Sequence, residues 1–422
     1  MRLPLIFAPL RHRDFRLLWT GQTISMFGNF VYQVAVPFQL LALGATPVQL
    51  GIGAALSAGV SLVLFLFGGA LVDRLPRRRI ILASDLLSGV AVTSIAVLGW
   101  TGLLRIEHIY IEAAFFGLTS AFFFPAMGAI IPELVPADIL LQGNTLRSLS
   151  RQIARLAGPV TGGLLVVLVG PPTAFFVDGL TFFAAFIALA AARPPAIGPP
   201  IRAHLLREIR DGLAFTFSLP WLWITIFLFA LVNAAFVGAI VVALPLLVRD
   251  VLQADARVFG LIEALTGVGE LAGAILLGQL RIVRIGVVMF LSAVLDGLTL
   301  AVFGLTDLVP IILVAAAIGG IGITGFGVLW ETALQRHVPR HLLGRVTSVD
   351  YFGGTLLGPV APLVAGLLVT ANGSSFVFVL AGSSIAVLCL GALLVPSIRQ
   401  LRNGTSDSSE ERLRRDEGVR QP

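Results

Sequence analysis

Three acidic residues lie where a charge is costly. Glu263, Glu270 and Asp296 fall inside the long apolar runs at 257–280 and 285–304, and an ionised carboxylate at the centre of a bilayer costs roughly 2.5–3.5 kcal/mol on insertion scales. A carboxyl kept there must face water, pair with a cation or hold a proton, so all three are candidates for proton coupling. Glu263 and Glu270 are spaced to share one face of a helix, where a cavity-facing pair at two depths can pass a proton along. Four more acids, Asp85, Glu112, Asp178 and Glu331, lie near the ends of their runs and are expected to cap helices or hydrogen-bond between them. A second set of residues is neutral. In the run at 15–43, Gln22, Ser25, Asn29, Tyr32 and Gln33 recur at three- and four-residue spacing, a polar stripe on an apolar helix. Facing a central cavity, the stripe would offer hydrogen bonds to a small-molecule substrate, which is the preferred reading; facing another helix, it would bind the two together. Asn233, Trp330 and the phenylalanines Phe115, Phe116, Phe122, Phe123 and Phe124 are further candidates to line a cavity for a bulky amphipathic compound.

The elements that must position these residues are membrane spans. Of 422 residues, 57% are hydrophobic and only 12% charged, with a mean hydropathy of +0.96, whereas a soluble fold carries about 25% charged residues. The apolar residues gather into runs at 15–43, 48–72, 80–103, 108–130, 150–169, 174–192, 220–247, 257–280, 285–304, 310–334, 346–370 and 374–396. Each is long enough to cross about 30 Å of hydrocarbon as a helix. The expected fold is therefore an all-α membrane protein of twelve transmembrane helices. Continuous runs exclude an outer-membrane barrel, whose strands alternate, and the single cysteine, Cys389, excludes an internal disulfide scaffold.

Arginine orients the chain. All 29 basic residues are arginine, and alternating spans put 26 of them on one side against Arg105, Arg249 and Arg257 on the other. By the positive-inside rule both termini are cytoplasmic and the membrane is the bacterial inner membrane, with the bilayer as the main partner. A net charge of +6 distributed between apolar runs offers no basic face to nucleic acid. No cofactor or enzyme motif is evident: there is no Walker loop and no His-Glu-x-x-His. His337 and His341 hint only weakly at a metal, and none is expected.

The longest connection falls at mid-chain. Arg193-Pro194-Pro195 and Gly198-Pro199-Pro200 precede Ile201, Leu205, Ile209 and Leu213, an amphipathic pattern suited to the inner leaflet. It divides the chain into a six-helix bundle at 1–193, a linker at 194–219 and a second bundle at 220–397, with a polar tail at 398–422 expected to be disordered. The halves echo each other: Gly158-Pro159 leading to Gly163-Leu164-Leu165 reappears as Gly358-Pro359 leading to Gly366-Leu367-Leu368. A parallel repeat of this size is an architecture for alternating access.

Gly69-Ala70-Leu71-Val72-Asp73-Arg74-Leu75-Pro76-Arg77-Arg78-Arg79 resembles the loop between helices 2 and 3 of the major facilitator superfamily, with Pro76 where the family usually has Gly. The resemblance implies that Gly69, Asp73, Arg74, Arg77 and Arg78 form a conformational latch between the two halves. Gly158-Pro159-Val160-Thr161-Gly162-Gly163 resembles the fifth-helix motif of proton-coupled exporters in this superfamily. That likeness implies a hinge at Gly158, Pro159, Gly162 and Gly163, where Pro removes a backbone hydrogen bond and the glycines let a neighbouring helix come close. The chain looks most like the twelve-helix drug exporters that include macrolide efflux and enterobactin exporter-like proteins. The resemblance implies proton-coupled export of a small amphipathic molecule, and a monomer is expected. One feature of such exporters is missing: Ile111-Glu112-Ala113-Ala114-Phe115-Phe116-Gly117 carries no arginine in the fourth span, so the acids are expected to work without it. An importer or facilitator of a metabolite, sugar or lipid, and a non-transporting receptor or assembly factor, remain alternatives.

Overall fold

The computed structural model describes residues 5–72, 75–192 and 205–402, the side chains of 66–72 and 205–209 excepted. Every described element is helical, as lipid requires of a backbone that must satisfy its own hydrogen bonds. In chain order they are α1 (Arg13–Ala42), α2 (Pro47–Val72), α3 (Arg77–Trp100), α4 (Ile106–Leu134), α5 (Leu140–Val169) and α6 (Pro171–Ala190). After α7 (Leu205–Ser218) come α8 (Pro220–Val251), α9 (Ala256–Gln279), α10 (Ile285–Leu305), α11 (Val309–His337), α12 (Arg340–Thr355), α13 (Ala361–Asn372) and α14 (Ser374–Ala392). Eleven of these are long and apolar enough to cross a membrane. Leu168, Ile187 and Val387 lie exposed along them, as lipid-facing side chains should.

Two expectations are corrected here. The run expected to span 346–370 is broken into α12 and α13, because Pro359 and Pro362 interrupt the backbone ladder between them. The fifth span was expected to begin at 150, but α5 begins at Leu140, which brings Arg147 onto the same helix as Arg151 and Arg155. The linker helix α7 is docked rather than free: Asp211 pairs with Arg345 of α12 at 3.1 Å, and Gly212 lies against the same residue. Packing also continues past 397, with Ile398 and Leu401 buried and the Leu401 carbonyl accepting a hydrogen bond from Gly286 N–H. Arg193, Ile201 and the tail from 403 lie outside the described residues.

The sequence echo between the halves has a geometric counterpart. Gly163 of α5 lies against Ala256, the first residue of α9, and Gly260 one turn further along α9 lies against Pro159. In the same register, Gly366 of α13 lies against Pro47, the first residue of α2, and Gly51 one turn further lies against Pro362. A Cβ at any of the four would run into backbone of the opposite half. The turns that precede α2 and α9 match as well, with φ of 78° at Gly44 and 49° at Gln253. Two glycine-lined seams, α5 on α9 and α13 on α2, thus close the halves against each other at the arginine-poor end. The motif read as a hinge supplies one seam: Gly158 and Gly162 receive α1 at Phe30 and Val31, while Gly163 receives α9.

Candidate functional site

The seams differ in one respect, which is charge. Further along α5 from Gly163, toward the arginine-rich end, Arg155 reaches across to Glu270 of α9 and places a guanidinium nitrogen 2.6 Å from a carboxylate oxygen. Beside it Gln152 donates to the Gly267 carbonyl at 3.1 Å. Both residues sit near the middles of their helices, and the pair joins the first half of the chain to the second. Glu263, two turns back along α9, is half-buried on the same seam. On the α2 and α13 side, Phe65 packs on Tyr351 instead. The fourth span carries no arginine, but α5 brings Arg155 to Glu270. Sequence reading counted Arg155 with the cytoplasmic arginines and did not pair it with Glu270, although its four-residue spacing from Arg151 and Arg147 fits one continuous helical face.

Much of the polar stripe on α1 is turned into its own bundle. Gln22 donates to Asp85 of α3 at 3.0 Å, and the Tyr32 hydroxyl donates to the Glu112 carboxylate of α4. Ser25 is buried, Asn29 is half-buried with an unpartnered carbonyl oxygen, and Gln33 is exposed. Helix-to-helix bonding, the alternative left open for the stripe, is what Gln22 and Tyr32 do. Asp178 of α6 is fully buried near Glu112, with one carboxylate oxygen close to the Thr181 hydroxyl and the other lacking a partner. Asp85, Glu112 and Asp178 are thus bundle-interior acids, while Glu331 is exposed.

Asp73 and Arg74 lie outside the described residues, and Gly69 lies within α2. Arg77 pairs with Glu133 at the end of α4, and Arg78 donates to the carbonyls of Leu189 and Ala190 at the end of α6, at 3.2 and 2.8 Å. A cation at a helix C-terminus meets carbonyls that have no partner in the helix. These two arginines therefore tie α3 to helices of their own half. In the second half, Trp330 is buried with its indole N–H donated to Asp350 at 3.0 Å. Asn233 and Asp296 both line a cavity of about 240 Å³ formed between α8, α10, α11 and α14. Among the described residues no group of three or more His, Cys, Asp and Glu could hold a metal ion.

Long apolar helices, glycine-lined seams and an ion pair between α5 and α9 set the frame for comparison with known proteins. Residues 5–417 match the model of a family described as transmembrane secretion effector. The chain belongs to that family, a branch of the major facilitator superfamily. It is a multi-pass membrane transporter of the bacterial inner membrane. Among its curated relatives is the enterobactin exporter EntS of Escherichia coli O1:K1 / APEC, 27% identical over 403 residues and covering 93% of each chain. The same exporter of Shigella dysenteriae serotype 1 (strain Sd197) is 27% identical over 404 residues, again with 93% of each chain covered. Among solved structures, the nucleoside transporter NupG superposes with a TM-score of 0.74 at 12% identity, over 90% of this chain and 98% of that one. A bacterial homologue of the iron transporter ferroportin gives 0.70 at 17% identity, over 90% and 98%. At those identities the structural likeness speaks for the fold.

Proposed function

We propose that this chain exports a small amphipathic organic molecule in exchange for protons, with Glu270 as the residue that couples the two. Twelve crossings, counting α12 and α13 as one, with both termini in the cytoplasm, would let 1–193 rock against 220–397 around a midplane site. Exporter-named relatives support the direction. The observation that carries the coupling is the Arg155 to Glu270 ion pair, which links one half to the other.

In this reading Glu270 holds either Arg155 or a proton. While the pair is made, the arginine-poor ends stay shut and the empty carrier cannot turn outward, so protons do not leak. Substrate binding beside Arg155 separates the pair and the carrier opens to the outside. There Glu270 takes up a proton as the substrate leaves. The neutral carboxyl crosses back, loses its proton to the cytoplasm and pairs again. Glu263, on the same face of α9, is the candidate relay. A ligand or proton shifts the balance of openings only through such a difference in interaction between the two states.

The test is ethidium accumulation in cells with and without the gene, before and after a protonophore collapses the gradient. Cells carrying the wild-type gene should accumulate less dye until the gradient is collapsed, and Glu270→Gln should remove that difference. Gradient-dependent efflux that survives Glu270→Gln would mean the coupling acid has been misassigned.

A further inference from the structure

The cavity in the second half has chemistry of its own. Its volume of about 240 Å³ compares with about 150 Å³ for an engineered cavity that takes benzene, so it can hold one aromatic ring and a small substituent. Phe229, Phe236, Phe290 and Phe326 form much of the wall. Phe229 and Phe326 are stacked with centroids 5.1 Å apart, and Phe290 meets Phe326 edge-on at 5.9 Å. Into this apolar space opens Asp296, only 9% exposed, whose carboxylate has no hydrogen bond or ion pair among the described residues.

The other polar groups of the wall sharpen the demand. The Asn233 amide N–H is donated to the Gly354 carbonyl at 2.9 Å, which fixes the orientation of the amide and leaves its carbonyl oxygen as an acceptor. The Thr225 hydroxyl is donated to the Trp221 carbonyl at 2.6 Å. The wall thus presents acceptors beside two neutral donors, the second N–H of the Asn233 amide and the weak thiol of Cys389, and no cationic group. An anion would meet an unpaired carboxylate, and a neutral hydrocarbon would leave that carboxylate buried without a partner. A cation answers both, because aromatic faces attract positive charge and a buried carboxylate requires a counter-charge or a donor.

We propose that this cavity is a binding site for a small organic monocation, a single aromatic ring bearing an ammonium group, with Asp296 as its counter-ion. The site lies wholly within residues 225–389, and neither Glu270 nor Arg155 is among the residues that line it.

The test is saturable binding of radiolabelled benzyltrimethylammonium to the purified full chain in lipid nanodiscs, with neopentylbenzene, its uncharged isostere, as competitor. Wild type should bind one equivalent, and the isostere should compete at least tenfold less well than unlabelled benzyltrimethylammonium. Asp296→Asn should weaken binding at least tenfold, while Asp296→Glu stays within a few-fold of wild type. In case Asp296→Asn does not fold, Gly327→Leu gives a second route. Gly327 borders the cavity and a Cβ there has no neighbour within 4 Å, so the new side chain enters open space and should block the ligand without disturbing the packing. No saturable binding to wild type, equal competition by the isostere, or undiminished binding to folded Asp296→Asn or Gly327→Leu would each overturn the proposal.

Discussion

Breaking the charged seam should open the arginine-poor end. At 2.6 Å and an effective dielectric of about 20, the attraction between Arg155 and Glu270 is about 6 kcal/mol. Most of that is offset by the water each group gives up, and Arg155 keeps 35% of its side chain exposed, which screens the pair further. A net coupling of about 1–3 kcal/mol remains reasonable for such a pair, equivalent to a shift of roughly 5- to 150-fold in a two-state balance. Thr46 and Asn372 are exposed at the arginine-poor end on opposite halves, so spin labels there, in a Cys389→Ser background, report the separation directly. Wild type should give one short distance. Arg155→Gln and Glu270→Gln should each add a longer one, and the double variant should resemble either single variant, because the interaction can be lost only once. Unchanged distances in the single variants, or effects that simply add in the double, would refute the idea that this pair holds the halves together.

Three further outcomes follow from the packing. Gly163→Leu and Gly366→Leu, one on each seam, should cost about 1–3 kcal/mol by overpacking and lengthen the same label distance; Gly391→Ala, where an added Cβ meets nothing within 4 Å, should leave it unchanged. Tyr32→Phe removes the hydroxyl that donates to Glu112 and should cost about 1–3 kcal/mol, read as a lower thermal midpoint in detergent; an unchanged midpoint would show that the bond contributes nothing. At the mouth of α9, Asp255 accepts from both the guanidinium and the backbone N–H of Arg257, and the guanidinium beside it holds its carboxyl below the ordinary value of 3.8. With the folded value depressed, the stability this cap contributes is present above 3.8 and is lost as pH falls below it. Amide protection in the first turn of α9, measured against the intrinsic exchange rate, should therefore fall only in that acid range, and Asp255→Ala should abolish the dependence.

How much of this was legible in the sequence depended on the range of the interaction. Apolar runs and Gly-Pro motifs are local, so most spans and two of the four seam glycines, Gly163 and Gly366, stand out from spacing alone, while Gly51 and Gly260 do not. Where charge and apolarity conflicted, local reading failed. Arg147, Arg151 and Arg155 count with the cytoplasmic arginines by sequence, yet α5 runs through all three, and Arg155 finds its counter-charge in Glu270, more than a hundred residues away. Glu270 itself was picked out by depth, but its partner was not, since nothing in the spacing of either helix says which face meets which. Gln22 and Tyr32 show the same limit from the other side. A polar stripe looks identical whether it faces a cavity or a neighbouring helix, and only the positions of Asp85 and Glu112 decide. The break before α13 was hidden by an apolar composition that ran straight through Pro359.

The most direct measurement of the central claim is proton movement by the purified chain in proteoliposomes loaded with a pH-sensitive dye, under an imposed gradient and with ethidium on one side. Ethidium and protons should cross in opposite directions with wild type, and Glu270→Gln should exchange ethidium without moving protons. Proton flux that continues unchanged in Glu270→Gln, or ethidium transport by wild type that ignores the gradient, would contradict the account.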